Sequence, residues 1–467
     1  MMSILAIVGG TILTLEEKKR IITDGVIVIE DNTIISVGEK NKVDVPQGSD
    51  KIVLDSNHLV IPGLINTHTH LGMSLLRGYS DDKPLHSWLE EDIFPIEAQL
   101  KPEDVFIGTK LGVIESLLSG CTTVNSMYIN ESKEAEALIE TGIRGVLGQG
   151  IFDWSIDDDI KLTESLISNY HGSHNDRIRI CVAPHSPYTV SPEAFSKISE
   201  LLIRENKSVL SNNKPLISWH CHVAETAQEY EKVKVFRGGK LSTEQQKALN
   251  NKSIFKYLEV SGVFNFNDSL ATNLVAAHCV WVTDEDLEVM KRKNITVASN
   301  PVSNLKLGSG IAPVPKMLKK GITVGIGTDG TASNNGLDIF DSLRFMTLLH
   351  KGTTQDPTTI PARDALEMVT TNGAKMLGFK KLGRISEGYL ADIVILDLKK
   401  PHLRPIYDYE SHLAYAIRSS DVETVIVNGN VLLEHRKFIS VDIEDLLEEV
   451  EDARQKLFNR LIDSRNQ

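Results

Sequence analysis

Short β-branched runs separated by turn signals make up residues 1–60. Ile4–Val8, Thr11–Leu15, Gly25–Glu30, Thr33–Val37 and Ile52–Asp55 are divided by Gly-Gly, Asp-Gly, Asp-Asn and Pro-Gln-Gly, which predicts strands joined by tight turns. After Pro62 the pattern changes, and continuous apolar runs alternate with longer charged segments of helical period up to about residue 380. Eight runs predict strands: Leu64–His70, Thr122–Met127, Arg144–Gly148, Arg179–Ala183, Leu216–His222, Asn273–His278, Thr296–Ser299 and Val324–Thr328. Helices are predicted between them at Glu103–Ser119, Lys133–Thr141, Pro192–Asn206, Asp284–Lys293 and Val314–Lys320. Repeated β-then-α order with uninterrupted apolar strands predicts an α/β chain with a parallel sheet, and eight units predict a closed (β/α)8 TIM barrel.

Strand character returns at Ala391–Leu396, Thr424–Val427 and Val431–Leu433, with Asn428-Gly429 as a hairpin turn, before a charged helix from about Ile443 to Ile462. Lone hairpins are marginally stable. The β-rich ends, 1–60 and 383–467, are therefore expected to form one small β-sandwich domain flanking a barrel over 61–382, with the final helix attached.

Composition narrows the function classes. The chain of 467 residues is 41% hydrophobic and 24% charged, a globular balance. Its net charge of -13, from 50 Lys+Arg against 63 Asp+Glu, argues against nucleic acid or an anionic membrane as partner. The apolar run Ile4–Val8 meets Gly9-Gly10 with no basic region before it, so neither a signal peptide nor an anchor is expected. Cys121, Cys181, Cys221 and Cys279 are widely spaced without CxxC pairing, which points to a reduced, cytoplasmic setting. The Lys- and Gln-rich stretch 235–251 is expected to be a solvated insertion, with a place at a pocket mouth as the alternative.

The candidate chemistry begins at Ile61-Pro62-Gly63-Leu64-Ile65-Asn66-Thr67-His68-Thr69-His70. Residues two apart on a strand share a face, so His68 and His70 present two imidazoles to one point. That geometry serves a metal ion or a polar strand face equally well. The positions of other polar residues favour function. His68 and His70 end the first predicted barrel strand, His222 the fifth and His278 the sixth, while Asp329 follows the eighth. In a (β/α)8 barrel, catalytic groups gather at these strand ends from distant parts of the chain. His220 also forms a His-x-His pair with His222, and spacing alone does not choose between them.

With these motifs in view, the chain resembles the amidohydrolase superfamily. The resemblance rests on Pro62 through His70, Gly120-Cys121-Thr122-Thr123, His222-Val223-Ala224-Glu225-Thr226, Ala277-His278-Cys279, Gly327-Thr328-Asp329-Gly330 and Gly388-Tyr389-Leu390-Ala391-Asp392. Leu76-Arg77-Gly78, Trp88-Leu89, Pro95-Ile96-Glu97, Pro184-His185-Ser186-Pro187, Asn300 through Asn304 and Ala332-Ser333-Asn334-Asn335 resemble the deaminases of 5'-methylthioadenosine and S-adenosylhomocysteine, a group beside the s-triazine chlorohydrolases. The resemblance implies a hydrolase of C–N bonds in cyclic amidines, taking an adenosine-type nucleoside to its inosine analogue and ammonia. The alternative is hydrolysis of another aza-aromatic ring, such as a triazine, guanine or a pterin.

It implies one divalent metal per subunit, Zn²⁺ with Fe²⁺ or Mn²⁺ as alternatives, held by His68, His70, His222 and Asp329. It also implies Glu225, His278 and Asp329 as catalytic groups, with Glu225 protonating the ring. Trp88, Glu97, Gln149, His185, Glu225 and Ser333 are the implied substrate contacts, with Glu97 suited to a ribose diol because a carboxylate accepts two hydrogen bonds. By the His-x-x-Glu relation the ligand is His222, which leaves His220 a deeper, satisfied core histidine. Relatives with S-adenosylhomocysteine activity carry two arginines where this chain has Gln149 and Lys161, so small 5' substituents are expected to be preferred. Relatives are often homo-oligomers, and the same is expected here.

Overall fold

The computed structural model describes residues 4–16, 21–264 and 274–466. The strand His58–Pro62 joins the two ends of the chain. It pairs antiparallel with Ile393–Asp397, Pro62 opposite Ile393 and His58 opposite Asp397, and parallel with Thr11–Leu13. Together they form the middle of a seven-stranded sheet that runs from Lys437–Phe438 at one edge to Ile21–Thr23 at the other. A strand turns alternate side chains to opposite faces. Accordingly Val60, Ile393, Ile395 and Ile426 pack with Ile7, Ile27, Ile29 and Ile34 of a second, four-stranded sheet. The intervening Leu59, Ile61, Val394 and Leu396 enter the large core with Val124 and Leu147. One sheet thus seals two cores, which ties the terminal strands to the parallel strands beside them.

The remainder is α/β with parallel strands. Leu64–Thr69, Cys121–Tyr128, Arg144–Ile151 and Ile178–Ile180 pair in parallel in that order, as do Trp219–Val223, Leu274–His278, Thr296–Ser299 and Val324–Ile326. A parallel bridge from Val182 to Trp219 links the two sets. Across their other edges the Asp329 N–H donates to the His68 carbonyl at 3.0 Å. The fourth expected strand is interrupted, resuming as Ala183–Pro184, and the fifth starts at Trp219 rather than Leu216. Of the sixth expected strand, Asn273 lies outside the described residues. No helix among the described residues is long and apolar enough to cross a membrane.

Two long helices escape the sequence pattern, Ile156–Tyr170 and Ile339–Thr354. The second is announced by Asp338, whose carboxylate caps the Phe340 and Asp341 N–H groups, the usual remedy for unsatisfied donors at a helix start. The stretch 235–251 is also ordered. It holds the end of Glu229–Phe236 and all of Thr243–Asn250, started by a Ser242–Gln245 capping box, with Ala248 and Leu249 buried. Ala248 and Leu249 join the main core, while Val235 and most of the polar residues are exposed, so the stretch is solvated as expected but folded, and none of it lines the cavity described below.

The final helix, Ile443–Arg465, buries Leu446, Ala453, Leu457 and Leu461 on one face. Leu457 and Leu461 pack in one cluster with Leu85, Trp88, Ile93 and Ile96, and Arg460 donates to the Gln99 carbonyl at 2.9 Å and pairs with Asp104. The C-terminus therefore braces the segment that follows the first parallel strand.

Candidate functional site

A cavity opens where the parallel strands end. His70, His222, Glu225, His278 and Asp329 line it together with Trp88, Leu89, Phe94 and Glu97 from the braced segment. His185, Tyr188, Phe152, Met127 and Tyr128 form more of its wall. The sequence thus sends residues from widely separated stretches to one space.

At the strand ends the imidazoles converge. His68 Nε2 and His70 Nε2 lie 3.3 and 3.2 Å from Asp329 Oδ1, and His222 Nε2 lies 3.3 Å from His70 Nε2. The donor atoms of His68, His70 and His222 all fall within 4.8 Å of one another, as do those of His68, His278 and Asp329. Each ring has its other nitrogen engaged. His68 Nδ1 is 2.8 Å from His220 Nε2, His222 Nδ1 is 2.8 Å from the His185 carbonyl, and His70 Nδ1 meets the Met127 carbonyl. Outward hydrogen bonds of this kind fix the tautomer and leave Nε2 as the free donor, as metal-ligating histidines require.

The electrostatics fit a cation. Burial holds His68 down to about 3 and His222 well below its usual range, which keeps both rings neutral. Burial works against both Asp329 and His70, yet the neighbouring histidines hold the Asp329 carboxyl well down while Asp329 raises His70. The cluster therefore favours positive charge at its centre. His68 Nε2 is fully buried and has no hydrogen-bond partner there. Neutral imidazoles and a carboxylate suit a borderline divalent ion, and these residues form a candidate His/Asp metal site.

Backbone strain marks the same strand ends. Ala224, His278, Cys279 and Asp329 have φ of 54°, 70°, 49° and 65°, a region that costs a non-glycine residue about 1–3 kcal/mol. Gly327 sits where a Cβ would lie 2.3 Å from Asn300 Oδ1 and 2.8 Å from the His68 carbonyl, so only glycine lets the eighth strand approach the first this closely.

Around the cluster the polar groups have separate environments. Burial, followed by the Asp329 charge, pushes the Glu225 carboxyl up to about 8. Burial alone takes Glu97 to about 7, against lowering by Tyr128 and His70. His278 Nδ1 lies 2.8 Å from Asn304 Oδ1, and burial lowers its pKa. His185 is bonded through Nδ1 to Thr189 Oγ1 at 2.8 Å, stacks on Phe152 at 4.8 Å and is held down to about 3 by burial.

Not every expected contact reaches the cavity. Gln149 does not line it, because alternation along Arg144–Ile151 turns its amide toward the Glu131 N–H while Gly150 faces the space. Lys161 is exposed and paired with Asp158. Ser333 lines the cavity, but its hydroxyl is 2.7 Å from Asp329 Oδ2, which Ser303 also meets at 2.6 Å. Trp88 is both core and wall, with Nε1 donating to the Ser80 carbonyl at 2.9 Å. His220 is buried and bonded through Nε2 to His68, while its Nδ1 has no partner, so it is a half-satisfied neighbour of the cluster rather than a fully satisfied core histidine.

Several residues had no assigned role in the sequence. Asn304 and Ser303 lie in the Asn300–Asn304 motif, whose polar residues directly after a strand were an available signal. Tyr188, Glu131 and Glu134 had none. Glu131 and Glu134 are buried, accepting the Tyr128 and Gly72 N–H groups at 2.8 and 2.7 Å, and so hold the backbone just after Met127 and His70.

Residues 59–432 match the Amidohydrolase family. The chain is similar to the 5-methylthioadenosine/S-adenosylhomocysteine deaminase of Caldanaerobacter subterraneus, 42% identical over 97% of this chain and 98% of that protein. It is similar to the 5'-deoxyadenosine deaminase of Methanosarcina acetivorans, 38% identical over 98% of this chain and 99% of that one. Among solved structures, the zinc-bound adenosine deaminase of Xanthomonas campestris superposes with a TM-score of 0.85 at 29% identity, over 97% of this chain and 98% of that one.

Proposed function

The chain belongs to the amidohydrolase family, and on that footing we propose that it is a metal-dependent hydrolytic deaminase of adenosine-type nucleosides, releasing ammonia and the inosine analogue. The observation that carries this is the shared cavity. A metal-type cluster and a carboxylic acid lie on the same wall-to-wall space as Glu97, which has a job with a ribose diol and none with a bare heterocycle. The eight parallel strands are read as one closed (β/α)8 barrel over 61–382, and the strands of 1–60 and 383–467 as a β-sandwich. The superposition on the Xanthomonas enzyme supports the barrel.

The metal is assigned to His68, His70, His222 and Asp329, as Zn²⁺ with Fe²⁺ or Mn²⁺ as alternatives, and when bound it supplies a Lewis acid that brings the pKa of a water to about 7. Glu225, kept protonated by burial, delivers its proton to a ring nitrogen and so makes the adjacent carbon electrophilic. His278, neutral and fixed by Asn304, orients the attacking oxygen. Asp329 takes the proton of the water, with Ser303 and Ser333 holding its outer oxygen. Trp88 covers the purine nucleoside, Glu97 accepts from the ribose hydroxyls and His185 completes the contact.

The 5' end is assigned to the apolar part of the wall. No Lys or Arg lines the cavity among the described residues, while Met73, Leu85, Leu89, Phe94 and Leu307 do. Substrates with a small uncharged 5' group, such as 5'-methylthioadenosine, 5'-deoxyadenosine or adenosine, are therefore favoured over S-adenosylhomocysteine. The four cysteines are free and buried, in keeping with a cytoplasmic setting.

An ammonia-release screen over purine nucleosides, free purines, pterins and s-triazines tests the function. Release from the nucleosides is expected. Release confined to free bases, pterins or triazines would overturn it.

A further inference from the structure

Glu229 opens the helix Glu229–Phe236 and is 1% exposed. A buried carboxylate at that place has an evident alternative in any apolar residue, so its partners are informative. Oε1 accepts the Ala224 N–H and Oε2 accepts the Glu225 N–H, both at 2.8 Å. The two oxygens are thus divided between two consecutive peptides of the turn that leaves the fifth parallel strand. Ala224, in that turn, has φ of 54°, a left-handed conformation that a residue with a Cβ seldom adopts unaided. Glu225 directly follows it, lines the cavity and stands 3.8 Å from His278.

We propose that Glu229 is a positioning residue for the proton donor: its carboxylate clamps the strained Ala224–Glu225 turn and thereby aims Glu225 into the cavity. This rests on Glu225 being the donor, as read above. Both carboxylate oxygens are needed, because an amide offers one acceptor and sets an N–H₂ donor against a backbone N–H. Two charged-acceptor bonds to one turn also outweigh two neutral ones in holding it. Burial and the neighbouring Glu225 push the Glu229 carboxyl up to about 8, as burial does for Glu225, but two backbone N–H donors at 2.8 Å occupy both Glu229 oxygens and favour its ionised form, so of the two neighbours it is Glu225 that keeps the proton. Glu229 does not line the cavity, so its effect on the reaction passes through the turn.

The test compares Glu229→Gln, Glu229→Asp, Glu225→Gln and the double variant Glu225→Gln/Glu229→Gln on the metal-loaded enzyme, with metal content measured for each. Glu229→Gln is expected to lower kcat for 5'-methylthioadenosine about 10- to 100-fold, with KM within about twofold and full metal content. In the Glu225→Gln background it should add less than about twofold, since the aimed group is already gone. Ala224→Gly should recover at least part of the loss in Glu229→Gln, because glycine takes φ of 54° without a clamp. Glu229→Asp, charged but too short to span both peptides, should lose kcat in the same manner and stands in if the amide variant fails to fold. A wild-type kcat in either variant, multiplying losses in the double variant, or a loss confined to KM would overturn the proposal. A Glu225→Gln enzyme with normal kcat would instead overturn the reading of Glu225 itself.

Discussion

His68 Nδ1 lies 2.8 Å from Nε2 of His220, two fully buried rings set edge to face at 4.9 Å. This contact explains why both histidines of His220-Cys221-His222 face inward while one of them reaches the central cluster. His222 sits one strand step nearer the cavity, and His220 Nε2 is placed to accept the outward proton of His68 when His68 binds a metal through Nε2. Burial and the surrounding imidazoles hold His220 well below its usual range, so it stays neutral and can accept. Partners of this kind are worth about 10–100-fold in metal affinity. His220→Ala is expected to weaken binding by that factor in a chelator-competition titration. Unchanged affinity would make His220 packing alone.

The donor's protonation sets an alkaline limit. Glu225 is pushed up to about 8, and as the proposed donor it would be competent below that pH and lost as pH rises through it. The profile of kcat/KM should fall above about pH 8. In Glu225→Gln this limb should disappear, with kcat lower by about 10²–10⁴-fold. Retention of the limb in that variant would assign it to another group.

As the proposed partner of the ribose diol, Glu97 would have the opposite dependence, because its ionised form is the better acceptor. With its carboxyl raised to about 7, acceptor strength is present above that pH and lost below it. KM for nucleosides should therefore rise as pH falls through about 7, and Glu97→Ala should raise it at every pH with little effect on a free purine. An equal effect on both substrates would remove Glu97 from the ribose.

Much of this was legible in the sequence, for physical reasons that differ by element. The buried parallel strands were plain because both faces are covered, so Leu274 through Ala277 and their neighbours read as continuous apolar runs. His68, His70, His222, His278 and Asp329 were visible because strand ends convert distant positions into neighbours. Gln149 misled because alignment along a strand says nothing of which face a side chain takes, and one step of alternation turns it away. Glu229 was invisible because its partners are backbone N–H groups, which carry no residue type. The brace from Leu457 and Leu461 to Trp88 spans most of the chain, and helical period tells that a face is buried but not against what.

The apolar 5' wall predicts a substrate order. Seating the charged amino-acid end of S-adenosylhomocysteine against Met73, Leu85 and Leu307 desolvates it without a partner. Each tenfold in kcat/KM corresponds to about 1.4 kcal/mol, so loss of even one charged hydrogen bond should favour 5'-methylthioadenosine by about tenfold or more. A clear preference for S-adenosylhomocysteine would contradict this.

We read the His68, His70, His222 and Asp329 cluster as a single metal site for nucleoside deamination. The direct measurement is ammonia release from 5'-methylthioadenosine by chelator-stripped protein titrated with Zn²⁺. Activity should be absent after stripping and return in proportion to added metal, saturating at one equivalent per chain. Full activity in the stripped protein, or none at any metal loading, would contradict the account.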